Sequence, residues 1–276
     1  MQLIEVPAKT GYVWFRQGIW LFRRNPLAFI TLFVTYMLAI ALVSRVPVIG
    51  AALPPLLIPG LTVGFMAACR DTVAGKHVLP TILVDGFHSY GAVATQRLLV
   101  LGAIYVAAMV LVVAAAAMVD SGAMLNAMVG ATSDASTNAN TSPDALVVPP
   151  GTLLSLLVAS LVYVPVSMLF WFAPVLSAWH DIPPVKAMFF SIVSCWRNRG
   201  AFVVYGLVWF GVMLGTSLVL SLVLQAVGAG IDTLKLMMPV LMAIIGAMVY
   251  CSFYATYRGC FGVQEPNAPA TPSSGR

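Results

Sequence analysis

Six stretches of this sequence, each eighteen residues or longer, contain no charged side chain: 27–44, 46–69, 98–119, 153–179, 201–228 and 236–257. A helix needs about 20 mostly apolar residues, at roughly 1.5 Å each, to cross a hydrocarbon core of about 30 Å. Every one of the six approaches or exceeds that length. Only 8% of the chain is charged, against roughly 25% in a soluble domain. So little charge cannot cover a water-facing surface, so the apolar excess is expected to face lipid. The expected fold is therefore all-α, a polytopic membrane protein of six transmembrane helices.

Lys and Arg assign the sides. Lys9, Arg16, Arg23 and Arg24 precede the first span. Arg70, Lys76 and Arg97 lie between the second and third, and Lys186, Arg197 and Arg199 between the fourth and fifth. Arg258 and Arg276 follow the sixth. Only Arg45 and Lys235 fall on the opposite side. The positive-inside rule then predicts both termini in the cytoplasm. The first apolar run starts only after Pro26, too far in for a compact signal sequence, so it reads as an uncleaved span.

Three regions follow: a cytoplasmic amphipathic segment over 1–26, a transmembrane domain over 27–262, and a disordered tail over 263–276. Within the transmembrane domain, loop 120–152 is extracytoplasmic, and its middle is rich in Ser, Thr, Asn and Ala. Such a stretch buries too little apolar surface to offset its ordering entropy, and flexibility is expected.

A threefold pattern runs through the spans. The first, third and fifth contain no proline, whereas the second has Pro47, Pro54, Pro55 and Pro59, the fourth Pro165 and Pro174, and the sixth Pro239. This predicts three helical hairpins, each with a straight and a kinked arm, although a short re-entrant pair over 46–69 is an alternative. An amphipathic cytoplasmic helix is expected before each hairpin. In the first, Tyr12, Trp14, Phe15, Ile19, Leu21 and Phe22 oppose Arg16, Gln17, Arg23 and Arg24. In the third, Val185, Met188, Phe189, Ile192, Val193 and Trp196 oppose Lys186, Ser191, Ser194 and Arg197. The second is a weaker version around Ile82, Leu83 and Phe87. Arg and Trp bordering an apolar face mark a helix lying in the headgroup layer. Trp14, Arg16, Arg23, Arg24, Trp196 and Arg197 are accordingly the candidate contacts to the membrane surface or to partner proteins. The join Arg24-Asn25-Pro26 also parallels Arg197-Asn198-Arg199.

No Asp, Glu, Lys, Arg or His lies at mid-span, where a charge would be costly and would mark function. Arg97, near a span end, is expected to snorkel to the surface. Span hydroxyls such as Tyr36, Ser167 and Thr216 are expected to bond between helices. Gly60, Gly64 and Ala68, and again Gly211 and Gly215, have the spacing that lets helices approach closely. With Pro55 and Pro59, Gly60 and Gly64 form a candidate gate or packing seam. The pairs Arg70-Asp71 and His180-Asp181 are expected to be helix ends. Cys69, Cys195, Cys251 and Cys260 form no metal-binding spacing and are expected to stay reduced. No nucleophile, nucleotide or metal motif is present, so no catalytic residue, cofactor or metal is expected and the chain reads as a non-enzyme. Its net charge of +5 sits in clusters beside apolar runs, which suits anionic headgroups and not nucleic acid.

Four stretches carry a family likeness: Trp14-Phe15-Arg16-Gln17-Gly18 running into Leu21-Phe22-Arg23-Arg24-Asn25-Pro26; Pro59-Gly60-Leu61-Thr62-Val63-Gly64-Phe65-Met66; Trp171-Phe172-Ala173-Pro174 with Trp179-His180; and Ala187-Met188-Phe189-Phe190-Ser191 with Cys195-Trp196-Arg197-Asn198. The chain resembles a family of bacterial multi-pass inner-membrane proteins of unknown function. Its arrangement is also similar, at the level of fold, to the membrane domain of bacterial glycerophosphodiesterases. That likeness implies no phosphodiesterase, because no soluble catalytic domain accompanies it. The functional expectation is an accessory protein contacting lipids or membrane partners; the alternative is a transporter or exporter of small amphiphilic compounds.

Overall fold

Proline sets several of the helix ends and bends. The computed structural model describes residues 3–46, 49–50, 52–120, 152–228 and 231–262. The expectations for the middle of loop 120–152 and for the tail 263–276 lie outside them. Helix α1 (Thr10–Arg24) ends at Asn25, whose backbone is extended at φ −151° and ψ 69°. The ring of the following Pro26 disfavours helical geometry at Asn25. Pro26 then opens α2 (Pro26–Ser44), where its missing N–H would have had no partner anyway.

The second apolar stretch forms one helix, α3 (Leu53–Val73). It starts seven residues later than the stretch 46–69, because Pro54 and Pro55 suit a first turn and not a helix interior. Only Pro59 lies inside it. After α4 (Ile82–His88), α5 (Gly91–Asp120) begins seven residues before the expected 98. Gly91 turns the chain there at φ +82°.

The fourth stretch is broken, not merely kinked. It comprises α6 (Thr152–Phe170) and α7 (Ala173–Trp179). In a continuous helix the Pro174 ring would meet the carbonyl of Phe170; instead it sits in the first turn of α7. The freed groups are satisfied by a single hydroxyl. Phe172 N–H donates to Ser191 Oγ at 2.9 Å, and that hydroxyl donates to Met168 O at 2.7 Å. Helices α8 (Pro184–Arg197), α9 (Arg199–Ala226) and α10 (Ile231–Phe261) complete the order, with Pro239 inside α10.

Six helical segments are long and apolar enough to cross a membrane: Pro26–Ser44, Leu53–Val73, Gly91–Val119, Leu154–Trp179, Arg199–Ala226 and Leu236–Phe261. Their outer side chains stay bare, as Met118 at 82% and Leu161 at 76% exposure illustrate. In water such contiguous apolar surface would be an aggregation liability; in lipid it is the expected surface.

The chain divides into two compact units. One comprises Met1–Leu38, Gly64–Leu83 and Ser194–Arg276, and within it α1 packs on α9 and α10. An aromatic cluster of Phe29, Phe33, Tyr36, Phe65 and Tyr250 fills its core, with the Phe65 and Tyr250 centroids 4.6 Å apart. Tyr250 Oη donates to Tyr36 Oη at 3.1 Å. The other unit comprises Ala39–Val63 and Val84–Val193, and there α5 packs on α6 and α7. Arg97, expected to snorkel, pairs with Asp181 in this unit. Asp181 takes a left-handed φ of 55° immediately after the His180 cap of α7, a common way for a helix to end. Not every span hydroxyl bonds across helices as expected: Ser167 and Thr216 donate to carbonyls of their own helix, Val164 and Val212.

Candidate functional site

Helix α1 carries four of the six surface candidates, and its two faces differ. Gly11, Trp14, Gly18, Leu21 and Phe22 recur every three or four residues and are buried. This face alternates small and large. At Gly11 the Ala201 carbonyl comes so close that a Cβ would overlap it, and at Gly18 the backbone of Ser252 does the same. Trp14 fills the space between. It is only 1% exposed, lies 5.3 Å from the Phe202 ring and 6.3 Å from Tyr205, and presses on Gly259. Tyr205 and Ser252 share a 2.7 Å hydrogen bond beside it. Trp14 is therefore a packing residue, and its expected place at the membrane surface is corrected. The signal for this was the seven-residue spacing of Gly11 and Gly18, which brackets Trp14.

The opposite face is bare. Tyr12, Arg16, Gln17, Arg23 and Arg24 are exposed, as is Trp20 at 52%. The Arg24 guanidinium lies over the Trp20 ring, 4.2 Å from its centroid, within cation–π range. Helix α8 presents its faces in the reverse of the usual soluble order. Ala187, Ser191, Ser194 and Asn198 are buried, while Val185, Phe189, Phe190 and Trp196, the last at 63%, are exposed. Trp196 lies 5.7 Å from the guanidinium of Arg199, and exposed Arg197 pairs with Glu5 at 3.3 Å.

Asn198 did not stand out as a site residue in the sequence, yet it organises the N-terminus. Its side chain is 1% exposed. Val6 N–H donates to its Oδ1 at 2.9 Å, and its Nδ2 donates to Ile4 O and Ser194 O, both at 3.1 Å. Ile4 N–H donates in turn to Cys260 O at 2.8 Å. The parallel with Asn25 extends into structure: each asparagine is the single residue joining two helices.

Along the other edge of α1 lies a cavity of about 350 Å³. Thr10, Gln17 and Trp20 of α1 and Tyr254 and Arg258 of α10 line it. Arg258 is half-buried and no carboxylate pairs with it among the described residues.

The proline–glycine seam of α3 is packed within each of the two units it belongs to. In one unit, a Cβ at Gly60 would overlap the Phe87 ring, and Gly86 abuts the Gly60 carbonyl; Pro59 is buried and Pro55 half-buried. In the other unit, a Cβ at Gly64 would stand 2.6 Å from Leu83 Cα. Gly211 and Gly215, by contrast, face open space. Among the described residues no group of three His, Cys, Asp or Glu could hold a metal. All four cysteines are free and buried. Burial, with Cys260 nearby, pushes the Cys195 thiol well above its usual range.

Six apolar membrane-length helices, with helices the regular structure throughout the described residues, define a multi-pass integral membrane protein. The chain is similar to a "probable inner membrane protein" of Burkholderia thailandensis, 64% identical over 274 residues that cover 99% of each protein. It belongs to that family of bacterial inner-membrane proteins. No family model matches the chain. No solved structure matches it either, and the likeness to glycerophosphodiesterase membrane domains gains no support.

Proposed function

We propose that the protein is a non-catalytic accessory component of the inner membrane, with both termini cytoplasmic, that meets lipid headgroups or membrane partners through α1 and α8. One observation carries the reading: the bare face of α1 combines Arg16, Trp20, Arg23 and Arg24 while its other face is keyed into α9 and α10. A helix held rigidly by glycine contacts presents that face in one fixed orientation. Interfacial helices use this mixture of aromatic and cationic side chains. The exposed apolar side of α8, with Trp196 and Arg199 at one end, supports the same role for a second amphipathic helix, and the Lys/Arg asymmetry supports the orientation. The three-hairpin arrangement is part of this proposal, supported by the helix that precedes each pair of spans.

The test replaces Arg16, Arg23, Arg24 and Trp196, all exposed, and measures the lipids and crosslinked proteins that co-purify in polymer-extracted membrane discs. The reading expects loss of acidic lipid or of a partner; an unchanged profile of both sinks it. A second reading, a transporter or exporter of small amphiphiles, draws on the break between α6 and α7. The tight contacts at Gly60 and Gly64 favour packing over gating at the seam that such a path would use.

A further inference from the structure

The cavity beside α1 has a chemistry that the bare helix face does not. Its volume of about 350 Å³ is room for roughly ten waters at about 30 Å³ each, and it lies within the range of small-ligand sites. Among the described residues its lining includes a cation, Arg258, and no anion. The remaining polar groups, the Gln17 amide and the Thr10 and Tyr254 hydroxyls, can each donate a hydrogen bond. A guanidinium with no carboxylate partner among the described residues, lined with neutral donors, selects a phosphate over a cation or a zwitterion's ammonium. The other part of the lining is apolar and aromatic, with Val13, Trp14, Trp20 and Leu21. A soluble phosphate would have no use for it. A phosphate carried on a glycerol and its acyl chains would.

From this geometry we infer that the cavity is a binding site for the phosphate of an anionic phospholipid headgroup, held by Arg258 and Gln17 and flanked by Trp20. This rests on the proposal that α1 and the Arg258 end of α10 lie in the headgroup layer. It goes further in assigning one specific lipid site, behind α1, apart from the general contact of its bare face. It also gives Arg258 a role. Arg258 lies in the last turn of α10, where the helix dipole alone would favour a cation. The dipole does not explain a cavity in front of it.

The experiment uses the full chain, purified in mild detergent and titrated in native mass spectrometry with phosphatidylglycerol or phosphatidylcholine. A parallel titration follows tryptophan fluorescence with inorganic phosphate. Phosphatidylglycerol should bind in preference to phosphatidylcholine, and Arg258→Gln should weaken it about tenfold, the usual size of one lost charged hydrogen bond. Arg258→Lys should recover part of the loss, and inorganic phosphate should compete only weakly. Equal binding of the two lipids, or an Arg258→Gln protein that binds like the parent, overturns the inference. Full displacement of the lipid by inorganic phosphate overturns the choice of lipid. Should Arg258→Gln fail to fold, Gln17→Leu, at an exposed position, asks the same question with the same expected loss. The co-purification test of the α1 and α8 faces leaves Arg258 intact, so the two proposals fail separately.

Discussion

Adding one methyl group at Gly18 should loosen α1 from the protein without disturbing the spans. Gly18 lies against Ser252, whose backbone N would stand 2.6 Å from a new Cβ. Because the obstacle is backbone and not a movable side-chain tip, the two helices must separate. Overpacking of this kind costs about 1–3 kcal/mol. The contact opposing separation includes Trp14, Leu21 and Phe22, each buried and each contributing roughly 1.5–3 kcal/mol when removed from water. The helix therefore stays docked but opens more often. A penalty of about 1–3 kcal/mol corresponds to roughly 5- to 150-fold faster exchange of its amides, at about tenfold per 1.4 kcal/mol. Hydrogen exchange by mass spectrometry, on the peptide covering Thr10–Arg24, reads this directly. Gly206→Ala serves as the control, since nothing lies within 4 Å of its new Cβ. There a helical Gly→Ala change should be neutral or stabilise by about 0.5–1 kcal/mol. Equal exchange in the Gly18→Ala protein and the parent would refute the docking of α1.

Further outcomes follow from other contacts. Gly64→Ala should lower thermal stability in detergent more than Gly60→Ala, because the first meets Leu83 backbone and the second only the tip of the Phe87 ring. Ser191→Ala should cost about 1–3 kcal/mol by removing the hydroxyl that links Phe172 N–H to Met168 O at the break between α6 and α7; a melt within error of the parent would contradict this. Asn198→Leu should release residues 4–6, seen as faster hydrogen exchange there, whereas Arg197→Gln, which breaks only an exposed pair with Glu5, should change stability by less than about 1 kcal/mol. If the protein carries small amphiphiles, Pro55→Ala and Pro59→Ala should alter flux in reconstituted vesicles; unaltered flux argues against that role.

The spans were legible because uncharged runs of that length have few other homes, and the helix joins at Asn25 and Asn198 because proline and repeated sequence mark them. The faces were less so. Trp14 and Trp20 have the same chemistry and lie on one short helix, yet one is buried and the other bare. Glycines at 11 and 18 decide this by letting backbone approach on one side only. In α8 the polar stripe of Ser191 and Ser194, running on to Asn198, is the buried one, and Ser191 and Asn198 find protein partners there. Gly211 and Gly215 had the spacing for close packing but face open space: spacing permits an approach and does not supply the neighbour. The break at Trp171 and Phe172 needed a Ser191 hydroxyl that is 19 residues away in sequence.

Single introduced cysteines on either side of the membrane test the orientation on which the lipid-facing role of α1 depends. The four native thiols are buried, and they should remain silent to maleimides. Arg45 and Lys76 are both exposed. In spheroplasts an impermeant maleimide should label Arg45→Cys at once and Lys76→Cys only after the membrane is permeabilised. Labelling of Lys76→Cys in sealed spheroplasts, with Arg45→Cys protected, would place α1 on the wrong side and contradict the account.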